Sequence, residues 1–351
     1  MTSSPRVRLL ADDLTGACDA SVAFLKAGHA VRVWFGAKAL MPADESAQAF
    51  HTASRGLPAD EAAEAVSQAA AGLIGDATAI FFKKIDSAGR GPIAAEVLAA
   101  HRALGTQAIL LAPAFPAMGR LVRGGVLEIS DECGQDARID LCRLFAPEMQ
   151  DALAMISRPG DVAAAIQAGK TILVCDSATQ DELNALAAAA EPLPRLLYAG
   201  SAGLAQAIAG LHPIPAPPDS FAVAKRTLVI VGTTHPVTNL QLAALEQAIS
   251  AHEDVRILRI GCETGDDERV RATFAEFDPE ALILTGGDTA QLAAEALGAH
   301  SMLLHGEFAP GIPWGRLQGG IAEGRIAVTK SGGFGTAGTL CEVVAKLSGA
   351  A

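Results

Sequence analysis

RVRLLADDLTGACDASVAFLKAG (6–28) contains the unit from which most of the chain is built. RVRLLA (6–11) is an apolar run of strand length. Asp12 and Asp13 follow at once, and residues 16–27 place apolar side chains at helical spacing. The predicted helix begins at Thr15 or Gly16, with Asp13 or Thr15 suited to cap it. A strand, a polar turn and a helix in so short a span form the repeating unit of a parallel α/β sheet.

The alternation recurs. AVRVWF (30–35), AQAFHT (47–52), TAIFFKK (78–84), QAILLA (107–112), KTILVC (170–175) and RLLYAG (195–200) are further strand-like runs. Helical stretches lie among them at 59–73, 92–104, 161–168 and 180–190. GRLVRGGVLEISDE (119–132) alternates around a Gly-Gly step and predicts a β-hairpin. LHPIPAPPDS (211–220) can be neither regular helix nor central strand, because its four prolines remove donors and fix φ. Beyond it the pattern restarts with RTLVIVG (226–232), DVRILRI (254–260), ALILTGG (281–287) and RIAVTK (325–330). The expected fold is α/β with two domains, 1–219 and 220–351. Each should be a largely parallel sheet with flanking helices.

Composition narrows the function. With 27 basic against 39 acidic residues the net charge is −12, which disfavours nucleic-acid and membrane-surface partners. Six cysteines, at 18, 133, 142, 175, 262 and 341, include no CxxC pair for zinc or redox work. The N-terminus runs into charge before a signal-peptide core can form, and no apolar stretch has membrane-spanning length. A cytoplasmic protein acting on small molecules is the expectation, with a homodimer compatible.

Ligands of open parallel sheets bind beyond the carboxyl ends of strands, so the residues after each apolar run carry the chemistry. Asp12 and Asp13 form a carboxylate pair that is unfavourable there without cations, a metal or hydroxyl donors. KKIDSAGRGP (83–92) brings Lys83, Lys84, Asp86, Ser87 and Arg90 to another strand end, where an arginine flanked by glycines suits a small carboxylate. Ser54-Arg55 and Arg120 are weaker versions of this pattern. GSAG (200–203) reads equally as a tight turn or a substrate contact. In the second half, Thr233 to Pro236, Thr285 to Ala290 and Lys330 to Gly335 are three turns rich in glycine or hydroxyls, each after a strand. Backbone amides in such turns suit a phosphate-bearing ligand, although neither GxxxxGK[ST] nor GxGxxG is present. His235, before a proline, reads better as a structural hydrogen-bonder than as a base.

Taken in order, ADDLTGA (11–17), KKIDSAGRG (83–91), APAFPAMGR (112–120), GSAGLA (200–205), LTGGDTA (284–290), PGIPWG (310–315) and TKSGGFG (329–335) resemble the four-carbon acid sugar kinase family. The resemblance spans nearly the whole chain. It implies an N-terminal acid-sugar-binding domain, a C-terminal ATP-binding domain with the active site in the cleft between the two, and phosphorylation of the terminal hydroxyl of a threonate-, erythronate- or 3-oxo-tetronate-type acid. By this likeness Asp12 and Asp13 are the catalytic carboxylates, one of them accepting the hydroxyl proton. Arg55, Lys83, Asp86 and Arg90 are the substrate side. Thr233, His235, Gly286, Gly287, Asp288, Thr289 and Gly332 hold ATP, with Mg²⁺ bridging its phosphates. The family's DSTLRGN has become DSAGRGP (86–92), its Gly-Ser-x-Ser turn has become Thr233-Thr234-His235, and the Asp after KSGGFG is Thr336. A non-catalytic sugar-acid or nucleotide-binding protein derived from such a kinase is the alternative. A nicotinamide-dependent oxidoreductase is disfavoured by the missing GxGxxG.

Overall fold

The computed structural model describes residues 5–36, 44–73, 79–130, 136–214, 223–249, 254–261 and 263–349. The expected boundary at 219/220 and most of its proline tract lie outside the described residues, as do Thr78, the hairpin stretch beyond 130, Cys133 and Cys262.

In chain order the N-terminal lobe opens with β1 (Val7–Ala11), α1 (Leu14–Lys26), β2 (Val31–Trp34) and β3 (Ala47–His51). It continues through α2 (Ala59–Ala71), β4 (Ile80–Lys84), α3 (Ile93–Leu104) and β5 (Ala108–Ala112). An antiparallel excursion, β6 (Arg120–Arg123), β7 (Val126–Ile129) and β8 (Ala137–Asp140), precedes β9 (Leu153–Ile156) and α4 (Val162–Gln167). Next come β10 (Ile172–Cys175), α5 (Gln180–Ala190), β11 (Leu196–Gly200) and α6 (Ala202–Ala209). The C-terminal lobe holds β12 (Thr227–Val231), α7 (Pro236–Ala248), β13 (Val255–Arg259), α8 (Asp266–Phe277), β14 (Ala281–Thr285) and α9 (Gly287–Leu297). It ends with β15 (Ser301–Glu307), β16 (Pro313–Gln318), β17 (Ile326–Lys330) and α10 (Thr339–Leu347).

The elements follow the sequence logic. VRLLA of β1 is buried along its whole length. Asp13 has extended backbone and accepts from the Gly16 amide, so α1 starts at Leu14, slightly earlier than expected. Thr179 and Glu182 close a reciprocal capping box on α5. The excursion at 120–140 is a three-stranded sheet rather than a lone hairpin, with β8 completing it.

The two lobes share a single 14-stranded sheet in the order β13-β12-β14-β17-β16-β15-β2-β3-β1-β4-β11-β5-β10-β9. From β2 to β9 every pair is parallel, as are β13, β12, β14 and β17. The join is β15 and β16, which pair antiparallel with their neighbours, including β15 with β2. The two expected domains rest on the proline tract and the restarted strand alternation, and SMLLHGE and PWGRLQ are not among the strand-like runs. Their short, glycine-interrupted runs lack the apolar signature of the parallel strands.

An antiparallel join alone would point the carboxyl ends of the two parallel sets in opposite directions. Sheet twist offsets this. At about 20–25° per strand, the steps between β14 and β1 accumulate to roughly 120–150°, which turns the two sets of carboxyl ends toward each other. Helix α1 lies in the resulting fold of the sheet and packs on β15, β16, β17 and α9. Side-chain alternation follows from this packing. Leu228, Ile230, Leu282 and Leu284 join the large core that runs through the N-terminal lobe. Val229, Val231, Ile283 and Val328 face away, into a second core under α7 and α10.

Candidate functional site

On the N-terminal side the polar residues that follow β1, β3 and β4 converge on one guanidinium. Arg55 donates through Nε to Asp12 Oδ2 at 2.7 Å and through a terminal nitrogen to Asp12 Oδ1 at 3.0 Å. It also donates to Asp13 Oδ1 at 2.7 Å and lies 3.8 Å from Asp86 Oδ1. The loop that carries it is anchored, since the Ser54 and Arg55 amides both donate to the Asp12 carbonyl. Gly91, at φ +87°, lets the 86–92 loop come close, because a Cβ there would stand 3.2 Å from the Arg55 carbonyl oxygen. Arg90 turns back onto Asp86, donating through Nε at 2.6 Å. Burial opposes the charge of Asp12, but Arg55, with Lys83 and Lys84 behind it, outweighs burial and holds this carboxyl below its ordinary range. Asp86 is also shifted down: burial works against its charge, and the Arg90 hydrogen bond with Arg55 prevails.

The two lysines of β4 point to opposite faces, as successive strand residues must. Lys83 is fully buried and pairs with Glu96 of α3 at 2.7 Å, while Ser54 donates to the other Glu96 oxygen. Its charge is therefore matched within the N-terminal lobe rather than presented to the cleft. Lys84, the neighbouring cation of this strand end, is placed differently. Its ammonium donates to the Ile85 carbonyl at 2.9 Å and lies against the first turn of α1, 3.2 Å from where a Gly16 Cβ would stand. It acts on Asp12, Asp19 and Asp86 at longer range, and among the described residues no carboxylate reaches it within 4 Å. Ser201, by contrast, caps α6 and donates to the Ala114 carbonyl at 2.7 Å, which resolves GSAG as a structural turn.

On the C-terminal side the three expected turns do meet. A Cβ on Gly332 would stand 2.8 Å from Thr233 Oγ1, and one on Gly286 would stand 3.3 Å from Thr233 Cβ. Gly286 has φ +96°, a conformation that favours glycine, and its amide donates to the Lys330 carbonyl. His235 caps α7 by accepting from the Val237 amide, so its ring has a structural job. Asp288 is exposed in the first turn of α9, and Thr289 is buried behind it. Lys330 organises the last turn. Its buried ammonium donates to the carbonyls of Ser331, Gly332 and Phe334 at 2.8–3.2 Å and to Thr238 at 3.3 Å. Gln241 reinforces the turn through the Phe334 and Thr336 carbonyls. With no carboxylate beside it, Lys330 is pushed down to about 8 by burial.

The two clusters touch. A Cβ on Gly287 would lie 2.6 Å from Asp13 Oδ2, so the Asp13 carboxylate abuts the N-terminus of α9. The Ser331 hydroxyl donates to Thr15 at 3.1 Å, and Thr15 donates to Asp13 Oδ2 at 2.8 Å. Asp13 is therefore the residue shared by both sides of the seam. Among the described residues no group of three or more His, Cys, Asp or Glu side chains is arranged to hold a metal, and no helix is long and apolar enough to cross a membrane.

Comparison with known proteins agrees with this two-sided arrangement. Residues 7–208 match the description "Sugar-binding N-terminal domain", and residues 268–340 match "Nucleotide-binding C-terminal domain". A D-threonate kinase of Bordetella bronchiseptica is 29% identical, over 94% of this chain and 95% of its own. The fold resembles that of a Haemophilus influenzae protein with a TM-score of 0.70 at 20% identity, covering 98% of this chain and 99% of that one. A Bordetella bronchiseptica domain crystallised with citrate as a domain-swapped dimer is 28% identical, with a TM-score of 0.51 over 99% of both chains. The two domain matches cover both halves of the seam, and the chain belongs to the four-carbon acid sugar kinase family, built from a sugar-binding N-terminal and a nucleotide-binding C-terminal domain.

Proposed function

We propose that this protein transfers the terminal phosphoryl group of ATP to the terminal hydroxyl of a four-carbon sugar acid, with D-threonate as the first candidate. The observation that carries the reading is the contact between Asp13 and Gly287, which joins a cation-rich acid site to the N-terminus of a helix at a glycine turn. Helix N-termini and glycine turns suit phosphate, and carboxylate-flanked guanidinium groups suit a hydroxy-acid. Arg90, two-thirds exposed, and Lys84, with only a backbone carbonyl as partner, are the cations available to the substrate carboxylate. Thr233, His235, Gly286, Gly287, Asp288, Thr289 and Gly332 line the nucleotide side. The nucleotide arrives as its Mg²⁺ complex, whose ligands are mostly phosphate oxygens and water. Asp12 and Asp13 stand at the reacting centre, and Lys83 supports it from behind. We place the domain division at 219/220, and the citrate-bound Bordetella dimer supports a homodimer here as well.

Phosphoryl transfer depends on positioning and charge stabilisation, which this seam supplies without covalent chemistry. An ATP-consumption assay across D-threonate, D-erythronate and 3-oxo-tetronates, with phosphorus NMR of the product, tests the reading. D-threonate should give the highest turnover and a terminal phosphate ester. If no four-carbon acid stimulates ATP consumption, the non-catalytic alternative replaces it.

Lys330 supplies a second expectation. Its folded pKa lies near 8, below the ordinary lysine value near 10.5. Between these values the native protein releases the proton before the unfolded chain does, so the lysine's contribution to stability rises with pH. Over the same interval its charge-assisted hold on three carbonyls weakens. ADP affinity measured by calorimetry should therefore fall above about pH 8 while thermal stability does not. Lys330→Met should bind ADP about tenfold more weakly at pH 7 and lose that pH dependence.

A further inference from the structure

We infer that His51 is the group that takes the proton from the acceptor hydroxyl, an assignment that rests on the kinase reading above. His51 ends β3 and pairs in register with Ala11, the residue immediately before Asp12. It is 2% exposed, yet its Nδ1 meets no hydrogen-bond partner, an unfavourable state for a buried polar atom. The charges of Asp12 and Asp13 in the β1–α1 turn, and of Asp288 and Glu295 in α9, act on it from both lobes. It therefore sits in the seam where acid and nucleotide must meet.

Asp12 and Asp13 already accept at least one hydrogen bond at every oxygen. Both oxygens of Asp12 accept from Arg55. Asp13 Oδ1 accepts from Arg55 and the Gly16 amide, and Oδ2 accepts from Thr15. Each of those bonds lowers the basicity of the oxygen it meets, whereas His51 Nδ1 meets no hydrogen-bond partner at all. Burial pushes His51 down, against the pull of Asp13, Asp12, Glu295 and Asp288, so the ring is neutral at pH 7. Those same carboxylates would stabilise the imidazolium once it forms.

In the step, the O–H bond of the substrate hydroxyl breaks and its proton moves to the imidazole lone pair. The hydroxyl oxygen bonds to the terminal phosphorus of the nucleoside triphosphate. The bond from that phosphorus to the bridging oxygen breaks, and the nucleoside diphosphate leaves with the electron pair. Asp12 and Asp13 then act by charge and position rather than by accepting the proton.

His51→Gln and His51→Asn, assayed as full-length proteins with D-threonate and ATP, test the assignment. Both should fold, bind ADP with wild-type affinity, and lose about 100-fold or more in kcat with little change in KM. Wild-type kcat/KM should fall on an acidic limb below the ordinary histidine range near 6.5, and both variants should lack that limb. If the wild type turns over and either folded variant keeps kcat within threefold with its acidic limb intact, the assignment of His51 is overturned while the kinase reading stands. If wild-type protein that binds ADP turns over no four-carbon acid, both fall together.

Discussion

Replacing Arg55 by Ala is expected to abolish turnover and to cost about 3–5 kcal/mol of stability at neutral pH, the usual effect of removing one partner from a buried ionic cluster. The side chain contacts three carboxylates that are themselves almost completely buried. The pH dependence separates this from simple loss of packing. Asp12 and Asp86 are held below their ordinary range, so they stabilise the fold above about pH 4 and lose that contribution as pH falls through their folded values. In the variant, burial acts on Asp12 with far less opposition, and its carboxyl rises. The deficit relative to wild type should therefore be largest near pH 7 and shrink toward pH 3. Thermal unfolding of both proteins across that range checks this, and a constant difference would contradict the cluster's ionic character.

Gly287→Val should have the second large effect. The added Cβ would approach Asp13 Oδ2 at 2.6 Å, a separation that cannot persist, so the Asp13 carboxylate or the elements that carry it and Gly287 must shift. The valine would also stand where phosphate meets the helix N-terminus. A displacement of about 1 Å at a reacting centre costs roughly 100-fold, so kcat/KM should fall at least that far. ADP affinity should fall with it, while circular dichroism stays unchanged because the core residues of α9 begin a turn further on, at Ala290. A variant that keeps wild-type kcat/KM would place the reaction away from this seam.

Most of the parallel strands were legible because they are short, largely apolar runs bounded by turns. The runs at β1, β10, β12 and β14 fall within a residue or two of their observed bounds. What escaped was β9, a four-residue run at the sheet's edge, and the join. β15 and β16 contain His305, Gly306, Gly315 and Arg316, which interrupt any apolar pattern, and their stability comes from pairing with strands distant in sequence. At the site, carboxylates, arginines and glycines were visible as strand-end clusters. Lys83 and Lys84 were both visible at one strand end, but which of them pairs within the lobe depends on strand phase, which the run alone does not fix. His51 was read as the tail of a strand. Only burial and the missing hydrogen bond distinguish it, and neither is written in the local sequence.

The strand pairing that unites the lobes also orders events in time. Arg32 of β2 reaches Ser301 of β15, 269 residues further along the chain. At about 5–20 residues per second of synthesis, roughly 15–50 s separate the appearance of the two partners. Throughout that interval the N-terminal lobe carries β2 as a bare edge, an open template for any passing strand. Its proper mate arrives late and as a ready-made pair, β15 with β16, and it must cross a long loop to dock. Faithful assembly of this protein is thus a contest between its own late hairpin and that of a neighbouring nascent chain.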